Sequence, residues 1–317
     1  MINKIPHIVI TAGDPKGIGY DLLLKLAYKN FACNITVLAC KNTLLKRAKK
    51  SKTIINLETK LKKHQGNGSL FINDYQDLEN QQKPIELLTM NDAILGCMTS
   101  QYNALVTLPV NKEKLSDKLK FSGHTEYLAK KLNVKNPIMG FYENDIIVCL
   151  NSTHVSLKKA VQMVKKERIY KNICLINTEL KKRFGIKNPK ILITGLNPHA
   201  SENGQFGNEE KKEIIPAINQ LIKEKINVFG PHPGDTAFIK KNRDQFDCIY
   251  YMYHDQALSA FKSLYFDSGV NVTFGLPIIR TSVDHGTSED LVGQKSKINP
   301  LSFFNAIKLA IKLCKKK

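Results

Sequence analysis

Three histidines, each following a short apolar run, are the first residues of this chain to suggest chemistry. His154 comes just after IIVCLNST, His199 after KILITGLNP and His254 after CIYYMY. Imidazole is the commonest protein metal ligand, and a catalytic zinc takes three protein ligands while keeping one position open. Spacings of 45 and 55 residues carry no local signature, so a shared metal and separate roles in loops or core both stay open. Two further groups could move protons. Asp235 sits in a PGDT turn, and Lys262 lies eight residues after His254. If Ala257–Leu264 is helical, Lys262 shares a helix face with His254, and a nearby dication would lower its pKa. Arg280 stands inside the apolar run IIRTSV. A buried arginine is rare without an anionic partner, which makes it a candidate anion ligand.

These residues need a scaffold, and the chain reads as an alternation of β-branched strands with amphipathic helices. Strands are expected at His7–Thr11, Ile35–Ala39, Ala104–Val110, Lys190–Leu196 and Cys248–Tyr253. Helices are expected at Asp21–Lys29, Asn42–Lys50, Asn91–Ser100 and Leu301–Cys314, the last ending in a fraying lysine tail. Continuous apolar strands between helices imply a mostly parallel sheet covered on both faces, hence an α/β protein. Ile138–Phe141 and Ile146–Leu150 flank Glu143-Asn144-Asp145 and read as a hairpin. Val270–Phe274 and Ile278–Val283 read as a second strand pair, and His64–Ser69 as a loop.

Gly- and His-rich turns recur after these strands: GDPKGIG at 13–19, PVNK at 109–112, GHTE at 123–126 and DHGT at 284–287. Ligands of parallel α/β sheets bind beyond the carboxyl ends of the strands. The 13–19 turn lies between a strand and a helix and suits an anion, yet it matches neither GxGxxG nor a Walker A loop.

Composition narrows the class. Of the 317 residues, 42% are hydrophobic and 24% charged, as in a soluble folded chain of one large or two moderate domains. Lys+Arg of 48 against Asp+Glu of 28 gives a net charge of +20. The lysines are dispersed and no nucleic-acid-binding signature accompanies them, so the expectation is a solvated basic surface and no nucleic-acid partner. No apolar run approaches the ~20 residues that span a bilayer, and Met1–Pro6 shows no secretory signal. Seven scattered cysteines with no CxxC pair suggest reduced thiols and a cytoplasmic setting.

The segments GLNPHASENGQFGNEE (195–210), GPHPGDTAF (230–238), YHDQAL (253–258) and GVNVTFGLPIIRTSVDHGT (269–287), in this order, resemble the 4-hydroxythreonine-4-phosphate dehydrogenases. The likeness runs from Ile10 to Gly293. It implies two α/β/α domains of the isocitrate/isopropylmalate dehydrogenase kind with the active-site cleft between them. The expected division is 1–115 plus 272–317 on the cofactor side, and 116–271 for metal, substrate and dimerisation. The family's metal ligands fall on His154, His199 and His254, and its substrate contacts on His124, Thr125, Lys262, Asn271 and Arg280. Asp235 matches an active-site carboxylate; Asp235 or Lys262 would take the alcohol proton. By analogy with the isopropylmalate enzymes, Asp284, His285, Gly286 and Thr287 border the cofactor. Departures from the usual family pattern are Lys16, Tyr20-Asp21 and Ala257.

The resemblance implies NAD(P)+ and a divalent ion (zinc, magnesium or cobalt) as cofactors. The substrate would be a phosphorylated amino acid, 4-phosphooxy-L-threonine. Oxidation at C3 followed by loss of CO2 would give 3-amino-1-hydroxyacetone phosphate, on the route to pyridoxine 5′-phosphate. It also implies a homodimer with the active site at its interface. The nearest alternative is a paralogue acting on threonate or erythronate 4-phosphate. More distant ones are a hydrolase using the same histidines and a basic nucleic-acid-binding protein without catalysis.

Overall fold

The computed structural model describes residues 5–75, 84–119 and 123–315. They separate into two compact units, one formed by the chain up to Lys135 with Leu276–Lys315, the other by Asn136–Gly275. The expected boundaries at 115/116 and 271/272 therefore move to 135/136 and 275/276. The reason is packing: Leu115 and Leu128 belong to the same buried cluster as Val9, Leu38 and Leu105, so the segment carrying His124 is part of the first unit. Of the terminal lysine tail, residues 316–317 lie outside the described residues.

The first unit runs β1 (His7–Thr11), α1 (Gly19–Leu26), β2 (Asn34–Ala39), α2 (Lys41–Lys50), β3 (Asn56–Glu58), β4 (Ser69–Asp74), α3 (Ile85–Met98), β5 (Ala104–Thr107), α4 (Lys112–Leu119) and α5 (His124–Lys131). The second holds β6 (Ile138–Glu143), β7 (Ile146–Leu150), α6 (Leu157–Gln162), α7 (Lys166–Glu179), β8 (Ile191–Thr194), α8 (Ile215–Lys223), β9 (Val228–His232), α9 (Lys240–Gln245), β10 (Cys248–Tyr251), α10 (His254–Tyr265) and β11 (Val270–Phe274). The chain then returns to the first unit with β12 (Arg280–Val283) and α11 (Leu301–Cys314).

Strands of the first unit lie in the order β3-β4-β2-β1-β5-β12, with every pairing parallel. Those of the second follow β11-β6-β7-β10-β8-β9. There β7, β10, β8 and β9 are mutually parallel, while the β6–β7 hairpin and the β11–β6 pair are antiparallel. The expected hairpin is therefore present, as an antiparallel inset in a parallel sheet. Within their own units the two late strands pair with β6 and β5 respectively.

Continuous apolar runs become strands because both faces are covered. Every residue of β5 and β7 is buried. On one face of the second sheet, Met139, Phe141, Val148 and Ile249 pack with Leu258 and Phe261 of α10. Three strands, β3, β4 and β9, went unanticipated. The first has only three residues, and the second follows a stretch whose Gly and Asn mark it as loop. That loop holds a buried histidine: the Nε2 of His64 lies 3.1 Å from the Leu26 carbonyl and 2.8 Å from that of Lys29. Carbonyls only accept, so Nε2 carries the proton and donates to both.

Burial pushes the pKa of His64 below the ordinary histidine value. The folded state then binds fewer protons than the unfolded one. This group's contribution is intact above about pH 6.5, the unfolded value, and is lost as pH falls toward the lowered folded value. His64→Gln keeps a donor and removes the titration. Its thermal midpoint should fall less steeply than the parent's between pH 7 and 5, and parallel slopes in the two proteins would refute this.

Candidate active site

Because β7, β10, β8 and β9 run parallel, the segments beyond their carboxyl ends leave one edge of the second sheet. Those segments carry His154, His254, His199 and Asp235. The structure brings the first two together: the rings of His154 and His254 have centroids 5.5 Å apart. Two imidazoles binding one ion at ~2.0–2.1 Å with tetrahedral angles would have centroids about 5 Å apart, so the pair fits a shared cation. Hydrogen bonds fix both segments. Ser152 Oγ donates to the Met252 carbonyl at 3.0 Å, and Arg168 donates twice to the Asn151 carbonyl, at 3.0 and 2.9 Å. Tyr250 Oη donates to Asn151 Oδ1 at 2.9 Å.

His254 Nδ1 lies 2.7 Å from Asp255 Oδ1. A carboxylate accepts, so Nδ1 carries the proton and Nε2 is left with the lone pair that could ligate. His199 is placed differently. Among the described residues, no set of three His, Cys, Asp or Glu side chains in one chain is gathered closely enough to hold a metal. His199 sits on a turn in which residues 199 to 203 all have positive φ, between 43° and 69°. Such left-handed conformations cost roughly 1–2 kcal/mol per non-glycine residue. The turn borders a cavity of about 650 Å³ that His199, Glu210, Lys211 and Pro231 help to line.

The remaining expected residues of this unit are on the same elements. Asp235 is exposed on the segment after β9. Lys262 is half-buried on α10, which is continuous from His254, as the spacing required. Its Nζ lies 5.9 Å from the Phe266 ring centroid. Asn271 lies on β11 opposite Phe141.

In the first unit, β1, β5 and β12 are parallel neighbours, so GDPKGIG, PVNK and DHGT emerge at one edge. They meet. Ile18 N donates to the Thr287 carbonyl at 2.9 Å, and Asp14 N to the Pro109 carbonyl at 2.9 Å. Gly13, at φ 72°, must be glycine: a Cβ would stand 2.1 Å from the Pro109 oxygen. Lys114 Nζ bridges the buried Asp14 (3.4 Å) and Glu289 (2.9 Å), and Asn111 Nδ2 donates to Glu289 at 3.1 Å. Asp284 N donates to Ser302 Oγ at 3.1 Å and His285 Nδ1 lies 3.0 Å from the Gly286 carbonyl. Gly286 itself is open, with nothing within 4 Å of a Cβ built on it.

Tyr20 and Asp21, where the family pattern usually differs, have structural partners. Tyr20 Oη accepts from Cys40 N at 3.1 Å, and Asp21 pairs with Arg47 at 2.8 Å. Arg47 also donates to the Pro15 carbonyl at 3.0 Å, pinning the 13–19 turn.

A cationic pole lies in the same unit. Arg280 is 3% exposed on β12, and its Nε and Nη2 donate to Thr107 Oγ1 at 3.2 and 2.8 Å. Burial pushes its pKa down to about 10, with Glu126 opposing. His124 and the buried Thr125 open α5. Burial, then the charges of Arg280 and Lys112, hold His124 well below the ordinary histidine value, so its ring is neutral near pH 7. Thr107, Lys112, Glu126 and Glu289 were not singled out from sequence. Of these, Lys112, inside PVNK, and Glu126, inside GHTE, lay in flagged turns. Among the described residues, no helix is long and apolar enough to cross a membrane.

Two α/β units whose ionisable residues collect beyond the carboxyl ends of parallel strands define the class of protein. The chain belongs to the family described as pyridoxal phosphate biosynthetic protein PdxA, whose sequence profile matches residues 16–310. It is 39% identical over 329 aligned residues, 99% of each chain, to a 4-hydroxythreonine-4-phosphate dehydrogenase of Vibrio parahaemolyticus. It is similar to the crystal structure of a 4-hydroxythreonine-4-phosphate dehydrogenase from Klebsiella pneumoniae, with TM-score 0.84, 29% identity, and 98% and 99% of the two chains covered. A Burkholderia phymatum structure of the same description gives TM-score 0.81 at 32% identity, with the same coverage.

Proposed function

We propose that this protein is a metal- and NAD(P)+-dependent 4-hydroxythreonine-4-phosphate dehydrogenase, oxidising C3 of 4-phosphooxy-L-threonine before loss of CO2. The observation that carries the reading is the His154–His254 pair at 5.5 Å, on two parallel strand ends of a chain that matches its relatives over its full length. Five curated relatives, 36–39% identical, share this name, so the sugar-acid alternative is not favoured.

His154, His199 and His254 would hold the divalent ion (zinc, magnesium or cobalt), with Asp255 keeping the ligating nitrogen of His254 unprotonated. When bound, the ion supplies Lewis acidity, acidifying the C3 hydroxyl and stabilising the charge released by decarboxylation. Arg280 supplies a buried cation for the phosphate, and Thr125 and the neutral His124 supply hydrogen bonds at the start of α5. Lys262 and Asn271 are further substrate contacts. Asp235 or Lys262 takes the hydroxyl proton. The meeting of the 13–19, 109–112 and 284–287 turns supports placing NAD(P)+ there, with Asp284, His285, Gly286 and Thr287 at its border. We take the protein to act in the cytoplasm, which suits cysteines held as thiols.

The test follows absorbance at 340 nm with 4-phosphooxy-L-threonine and NAD+ or NADP+, with and without a chelator. Growth that the chelator abolishes is expected; silence with verified metal and cofactor loading refutes the reading. We also infer a homodimer in which His199 of one subunit joins His154 and His254 of the other, consistent with His199 standing apart from that pair. Mixed His199→Ala and His254→Ala proteins should then regain activity on subunit exchange. No recovery despite proven exchange rules the sharing out.

A further inference from the structure

The strained turn that presents His199 is entered through three residues, Gly195, Leu196 and Asn197, and their polar groups are almost all engaged. Gly195 N donates to the His232 carbonyl at 2.8 Å, and the Gly195 carbonyl accepts from Gln256 Nε2 at 2.8 Å. Leu196 N and Asn197 N both donate to Glu210 Oε1, at 2.7 and 2.8 Å. Asn197 Nδ2 donates to Glu210 Oε2 at 2.8 Å and to Glu209 Oε2 at 2.8 Å. The Asn197 carbonyl accepts from Ala200 N at 3.1 Å.

Two side chains do most of this. Glu210 is 2% exposed, so both carboxylate oxygens are committed away from water. Gln256 lies two residues beyond His254. Its Oε1 accepts from Met252 N at 2.9 Å and Thr194 Oγ1 at 3.3 Å, while its Nε2 reaches Gly195. A Cβ on Gly234 would stand 2.6 Å from that Nε2, so the amide also abuts the segment carrying Asp235. One amide thus touches segments leading from β8, β9 and β10.

Left-handed backbone at five consecutive non-glycine residues does not persist unless its surroundings over-determine it. We propose that Gln256 and Glu210 form a clamp on Gly195–Asn197 that holds the left-handed turn and sets the placement, and hence the metal affinity, of His199. Both are positioning residues. The proposal rests on the reading of His199 as a ligand.

The variants are Glu210→Gln, which keeps the size but turns one oxygen into a donor facing Asn197 Nδ2, and Gln256→Leu, which removes the amide. Hydrogen exchange of the 197–207 segment and zinc affinity, by competition with a chromophoric chelator, are measured in each, with His199→Ala as reference. Exchange in the segment should quicken in both variants, while β7 and β10 stay protected. The zinc dissociation constant should rise about tenfold or more, in the range typical of groups that support metal ligands. Unchanged exchange in the turn overturns the clamp. Faster exchange with unchanged zinc affinity, when His199→Ala does weaken binding, overturns the positioning role. If His199→Ala itself leaves zinc affinity unchanged, the ligand reading falls, and the positioning role with it; the exchange data still report on the clamp separately.

Discussion

Arg280→Met should lower kcat/KM for the phosphorylated substrate by about a thousandfold, roughly 4 kcal/mol. The side chain is 3% exposed, and Thr107 Oγ1, which fixes its Nε and Nη2, is a neutral acceptor. Burial has already lowered its pKa to about 10, so the guanidinium is still charged near neutral pH but poorly solvated. A dianionic phosphate would offset that burial, and charge-assisted hydrogen bonds are the strong kind. Removing the cation removes that term, while an apolar side chain of similar volume spares the cost of burying a charge, so folding should suffer little. The expected signature is therefore a large rise in KM with a thermal midpoint near that of the parent. Arg280→Lys should recover only part of the activity, since an ammonium cannot reproduce the forked contact to Thr107. Full activity in Arg280→Met would remove this residue from the site.

His254→Ala should abolish metal-dependent turnover, with a loss of about 10³-fold or more, and should reduce bound metal to background. The ring centroid lies 5.5 Å from that of His154, and its tautomer is set by Asp255. Losing one of two adjacent imidazoles removes a ligand that the other cannot replace. Asp255→Asn separates the tautomer argument from simple ligand loss. The Asp255 side chain is 84% exposed, so part of its effect is screened, and the metal affinity should fall by about tenfold, the lower end for such partners. Metal content by mass spectrometry and kcat by the 340 nm assay are the readouts. Retention of stoichiometric metal in His254→Ala would contradict its role as a ligand.

Much of the scaffold was legible because its signals are local. Val270–Phe274 and Leu301–Cys314 stand where apolar periodicity puts them, and the β6–β7 hairpin follows from two β-branched runs around Glu143-Asn144-Asp145. Where the expectation erred, a longer-range effect decided. The boundary moved to 135/136 because Leu115 and Leu128 pack into the cluster of Val9 and Leu105, a choice made by distant strands. β3 was missed because three residues carry no period.

The sequence by itself determined the parts: the turns after strands, the histidines at their ends, the arginine inside an apolar strand and the resemblance that assigned them. Parallel strands send their carboxyl ends to one edge, so an alternation of strands and helices is enough to place such residues near one another. Only the tertiary structure decided which of them meet. It paired His154 with His254 and left His199 outside that pair, on a left-handed turn no propensity would suggest. It put Lys112 and Glu126 beside the His124–Arg280 pole and committed Glu210 and Gln256 to the turn before His199. Each of these depends on hydrogen bonds or charges between residues far apart in the chain, and so on packing that no local window of sequence contains.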